Sequence, residues 1–122
     1  MYLVSVQQHF DAAHYLRDYK GKCEQLHGHR FETVVTLQTQ ELDDLGMAYD
    51  FSELKKHLQK ILNKLDHVCL NEVTPFDKIN PSSENIARTI YRQLQPLLKN
   101  APVSIHSVEV WESPESRAVY FP

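Results

Sequence analysis

The chain has 122 residues, 13 of them Lys or Arg and 16 Asp or Glu, for a formal net charge of −3. That length suits one compact domain, and the scattered basic residues offer no stripe for a nucleic acid. No apolar run approaches the roughly 20 residues of a bilayer span, and the start, MYLVSVQQHFDAAH, turns polar too soon for a secretory signal. The two cysteines, Cys23 and Cys69, are too few for a disulfide framework and fit a reducing, cytoplasmic setting.

Tyr2–Phe10 places Tyr2, Val4 and Val6 at alternate positions and reads as a strand. Arg30–Gln40 is a second strand, β-branched and with Phe31, Thr33, Val35 and Leu37 on one face. Glu41–Met47 carries turn residues. A helix follows, its stripe made by Phe51, Leu54, Leu58, Ile61, Leu62 and Leu65. Asp50 or Ser52 can cap it, and it is expected to end near Asp66-His67. Asn71–Ser83 is a loop with two prolines. A second helix, starting at Ser82 or Ser83, has Ile86, Ile90, Leu94, Leu97 and Leu98 as its apolar stripe, and Pro96 stops or kinks it near Gln95. Pro102–Glu112 and Arg117–Phe121 form a hairpin around Ser113–Ser116. The order ββααββ over residues 1–122 predicts one α+β domain, an antiparallel four-stranded sheet with two helices on one face. Four strands cannot close a barrel alone, and open sheet edges invite pairing between chains.

Seven histidines stand out. His27 and His29 flank Gly28, and residues two apart in a strand share a face. Gly28 is expected to leave room for the two rings to converge on one ion. His14, just past the first strand, is the best third ligand. Three neutral imidazoles suit zinc and leave a fourth position open, the pattern of a catalytic site. Cys23 in the fourth position would instead give a closed structural site, and an isolated H-x-H is also common among surface or core histidines.

Cys23 lies in a polar loop with Lys20 and Lys22. Those cations and a nearby metal would favour its thiolate, a base able to take a proton that a metal has made more acidic. Asp66 can fix the tautomer of His67 if the helix ends there; otherwise His67 is a helix-terminal histidine facing the dipole. Glu112 shares a strand face with Val108 and Val110. It is either an exposed strand end or a carboxylate able to grip a ring bearing adjacent N–H donors.

The stretches FDAAHYL, CEQLHGH, GMAYDFSELK, LDHVCLN, NPSSENIA and VEVWES occur in this order over nearly the whole chain. Together they resemble the family of 6-pyruvoyltetrahydropterin and 6-carboxytetrahydropterin synthases. The resemblance implies the tunnelling fold, with ββααββ units joined between subunits into barrels, usually a trimer stacked into a hexamer. It implies a catalytic Zn2+ on His14, His27 and His29, and Cys23 as general base working with Asp66 and His67. Glu112 would anchor the pterin ring, and Ser82, Ser83 and Glu84 would line its pocket. Sites would form between subunits. The substrate would be 7,8-dihydroneopterin triphosphate, with Lys20, Lys22, Lys78 and Arg88 as candidates for its phosphates.

The product would be 6-pyruvoyltetrahydropterin, or 6-carboxy-5,6,7,8-tetrahydropterin with loss of acetaldehyde, on the route to queuosine. Three residues separate Cys23 from His27, a spacing similar to the carboxy branch. Glu24 resembles a loop glutamate with which some relatives cleave the side chain of dihydroneopterin. A zinc-stabilised pterin-binding protein without chemistry is the rival of another class.

Overall fold

Alternation of inward apolar and outward polar residues runs beyond Phe10. In the computed structural model, which describes residues 1–122, β1 spans Tyr2–His14, with Val6, Phe10, Ala12 and His14 all buried. Its antiparallel partner β2, His27–Thr39, pairs from Tyr2↔Thr39 to His14↔His27. β2 therefore starts three residues before the expected Arg30, and the histidines belong to the strand itself. Helix α1, Phe51–Leu62, follows. Its N-cap is Asp50, whose carboxylate accepts the Ser52 N–H at 2.8 Å. Helix α2, Ser83–Leu94, is capped by the Ser82 hydroxyl, which accepts the Asn85 N–H at 3.2 Å. A short 3-10 turn, Gln95–Leu98, takes over at Pro96, as the missing N–H dictates. The last hairpin is β3, Ser104–Ser113, and β4, Ser116–Tyr120, and the sheet order is β1-β2-β3-β4.

Both helices lie on the apolar face of the sheet, α1 against β1 and α2 against β3 and β4. One cluster of 21 buried side chains fills the layer. The rings of Phe10 and Phe31 stack at its centre, 4.9 Å apart. This is the α+β layer that the pattern predicts.

Helix α1 stops well before the expected end at Asp66-His67. The following turns bring residues 67–69 alongside β1. The His67 N–H donates to the Asp11 carbonyl at 2.6 Å, and the Ala13 N–H to the Val68 carbonyl at 3.0 Å. Beyond β1, two amides act as surrogate strand neighbours. Asn71 accepts the Tyr15 N–H at 3.0 Å and donates to the Tyr15 carbonyl at 2.9 Å. Asn80 does the same to Arg17, at 2.8 and 3.0 Å. The Arg17 guanidinium then donates to the carbonyls of Asn71, Phe76 and Ile79. These contacts tie the loop before α2 to the end of β1.

Candidate metal centre

Strand register brings the three predicted histidines together. His14 closes β1, cross-strand from His27, and His29 faces the same side as His27. The ring centroids are 4.7 Å apart for His14–His27 and His27–His29, and 5.3 Å for His14–His29. Phe31, the next inward residue of β2, supports His14 and His29 edge-on from below, at 5.2 and 5.6 Å. Gly28 plays no part in the convergence. It points to the other face, where an added Cβ would meet only the Ala12 carbonyl at 3.7 Å, an ordinary contact.

The ring nitrogens are sorted by their partners. Nδ1 of His14 lies 2.8 Å from the Pro81 carbonyl, and Nδ1 of His27 lies 2.7 Å from the Gln25 carbonyl. A carbonyl only accepts, so each Nδ1 carries the proton and each Nε2 offers a lone pair. Burial pushes the His29 imidazole below the usual histidine range and so favours its neutral form, against the opposing pull of the Glu112 carboxylate. Nε2 of His14 and of His29 are buried without a hydrogen-bond partner. Such orphaned acceptors, one of them on a side chain 2 % exposed, are what a ligand set looks like. Donor atoms of His14, His27, His29 and Glu112 all lie within 4.8 Å of one another, so the residues present fit a metal ion. The Cys23 sulfur is not in that group; Cys23 is exposed on the loop before β2.

A second cluster forms at the β1 edge. The Asp66 carboxylate is 2.8 Å from Nδ1 of His67 and accepts the Asp11 N–H at 2.9 Å. Because α1 ends early, the direct Asp66–His67 contact replaces the helix-dipole arrangement. His67 adopts a left-handed backbone, φ +58°, a conformation that few non-glycine residues take. The Asp11 carboxylate is gripped by its cross-strand partner Arg30, with Nε at 2.9 Å and Nη2 at 3.2 Å. That grip holds Asp11 below the usual carboxylate range. The Asp11 N–H and the His67 ring do the same for Asp66. Asp11 and Arg30 lie on the sheet face opposite His14 and His29, so within one chain the two clusters stay separate.

A model of the 6-pyruvoyl tetrahydropterin synthase family matches residues 3–122. The chain belongs to that family. It is 38% identical to the 6-carboxy-5,6,7,8-tetrahydropterin synthase of Synechocystis sp., over 99% of this chain and 94% of the relative. The Bacillus subtilis protein of the same name is 36% identical, over 93% and 81%. Among solved structures, the Caenorhabditis elegans 6-pyruvoyl tetrahydropterin synthase superposes with a TM-score of 0.81 at 26% identity, covering 100% of this chain and 97% of that one. The tunnelling fold of the pterin synthases is thus the fold of this chain.

Other residues named from the pterin-synthase pattern have definite places. Ser82 caps α2 with its hydroxyl, Ser83 and Glu84 open the helix, and all three follow Pro81, whose carbonyl orients His14. The Glu24 carboxylate accepts the Leu16 N–H at 3.3 Å, and the Glu24 N–H donates to the Leu16 carbonyl at 2.9 Å, so Glu24 closes the base of the Cys23 loop. It stands 3.8 Å from Nδ1 of His27, beyond hydrogen-bond reach. Glu112 sits against the histidines, its Oε1 3.2 Å from Nε2 of both His14 and His29. Sequence reasoning missed three positioning groups: Asn71, Asn80 and the Asp11–Arg30 pair. The Asp11–Arg30 pairing follows from strand register alone; the two asparagines look like ordinary loop residues.

Proposed function

We propose that this chain is a zinc-dependent lyase of the carboxy branch. It would convert 7,8-dihydroneopterin triphosphate to 6-carboxy-5,6,7,8-tetrahydropterin, with release of acetaldehyde and triphosphate, for queuosine synthesis in the cytoplasm. The observation that carries the reading is the trio of imidazoles whose Nε2 atoms converge while the Nδ1 protons of His14 and His27 are tied to backbone carbonyls. The choice of product rests on the names of the relatives and on the short Cys23–His27 spacing.

In this reading His14, His27 and His29 hold the ion, which when bound would acidify the side-chain hydroxyls and their neighbouring C–H positions. Cys23, exposed on the loop beside Glu24, takes the proton as thiolate. Asp66 keeps the proton of His67 on Nδ1 and leaves Nε2 free to receive and return a proton. The separation of the two clusters within one chain favours a site completed between subunits of a trimer or hexamer. Glu112, with Ser83 and Glu84 at the start of α2, contacts the pterin, and Ser82 contributes by holding that helix start.

The test is product analysis by mass spectrometry after incubation with 7,8-dihydroneopterin triphosphate. Acetaldehyde with carboxytetrahydropterin is expected. Pyruvoyltetrahydropterin without acetaldehyde would overturn the choice of product. Cleavage of dephosphorylated dihydroneopterin would move the chemistry to Glu24, and retained but unchanged pterin would mean a binding protein. Cys23→Ala is expected to abolish turnover while keeping its metal, and loss of the metal in that variant would make Cys23 a ligand.

A further inference from the structure

The carboxylate of Glu112 occupies a place that hydrogen bonding does not explain. Its Oε1 is equidistant, at 3.2 Å, from Nε2 of His14 and Nε2 of His29. Neither approach has the direction of a hydrogen bond, and both nitrogens count as unpartnered. The His14 proton is committed to Pro81 on the far side of the ring, so its Nε2 presents a lone pair. An ionised carboxylate also presents only lone pairs. Two such atoms repel at this distance unless a cation lies between them. Around a tetrahedral zinc with bonds of about 2.0–2.1 Å, neighbouring ligand atoms stand about 3.3–3.4 Å apart. The Glu112 contacts have nearly that spacing.

We infer that Glu112 is a fourth metal ligand, closing the three-histidine site in the absence of substrate and yielding its place when substrate enters. The inference rests on the reading of His14, His27 and His29 as ligands. Glu112 is suited to be the exchangeable member of the set. Its side chain is 37 % exposed, and it stands near the end of β3 where the pairing with β4 shifts register between Trp111 and Ser113. His14 and His27, by contrast, are held by second hydrogen bonds. A carboxylate ligand also leaves the loaded site with one positive charge rather than two.

The experiment compares metal-free wild type, Glu112→Gln, Glu112→Ala and His29→Ala. Each is titrated with Zn2+ against a chromophoric chelator, and with Co2+ while the visible absorption is followed, both without pterin. The two Glu112 variants are expected to bind Zn2+ about tenfold or more weakly, with Co2+ bands that differ from wild type in position and intensity. Unchanged Zn2+ affinity and superimposable Co2+ spectra in Glu112→Gln would overturn the inference. That variant keeps the size of the side chain, so it carries the test if Glu112→Ala does not fold. Wild-type affinity in His29→Ala would overturn the three-histidine reading itself.

Discussion

In the proposed mechanism, His67 trades conformational ease for chemistry. Its left-handed backbone costs an ordinary residue about 1–2 kcal/mol, and glycine nothing comparable. The side chain is 79 % exposed and adds little packing. His67→Gly is therefore expected to change stability by less than about 1 kcal/mol, relief of strain offsetting the flexibility gained by the unfolded chain. Turnover should fall by about 100-fold or more; thermal unfolding and steady-state rates check the two halves separately. Asp66 and Asp11 titrate below the usual carboxylate range, so each contributes stability that is full above its ordinary pKa of 3.8 and is lost as pH falls through the lower folded value. Acid unfolding of Asp66→Asn should consequently be less steep below about pH 4 than that of wild type, and identical acid limbs would refute that assignment.

At the scale of elements, sequence periodicity conveys most of the fold. The stripes of α1 and α2, the β-branched run of β2 and the final hairpin all follow from local patterns. What stays hidden depends on partners distant in sequence. β1 and β2 lengthen because each strand completes the other through His14↔His27. The early end of α1 leaves Leu65 on the expected apolar stripe, still buried but outside the helix, so periodicity alone gives no boundary. The convergence of His14, His27 and His29 is legible because strand alternation aims them to one face. The anchoring of His14 is not, because it depends on Asn71 and Asn80 acting as false strands. Asn71 is 5 % exposed, and Asn71→Ala would leave the N–H and carbonyl of Tyr15 without partners. A loss of about 1–3 kcal/mol is expected, together with weaker metal retention, because the loop carrying Pro81 loosens. Unfolding with and without a chelator measures both effects. No change in either would show that Asn80 and Arg17 hold the loop without Asn71.

The whole molecule presents surfaces that a lone chain leaves uncovered. The β4 edge is unpaired, and β1 is covered on its free side only beside residues 66–69. Leu3, Leu45 and Phe51 are 54%, 81% and 53% exposed. Edge strands and apolar side chains left this open call for a second copy of the chain. Light scattering at micromolar concentration is expected to give the mass of a trimer or hexamer, and a stable monomer would contradict it. One contact inside the chain has a further consequence. His14 is aimed by a carbonyl that lies 67 residues later. During synthesis the first hairpin can emerge with its imidazoles already close, but the ring of His14 stays free to turn until Pro81 arrives. If the three imidazoles hold an ion as proposed, a chain that ends before Pro81 would lack the contact that fixes the His14 ring and would hold the ion less tightly.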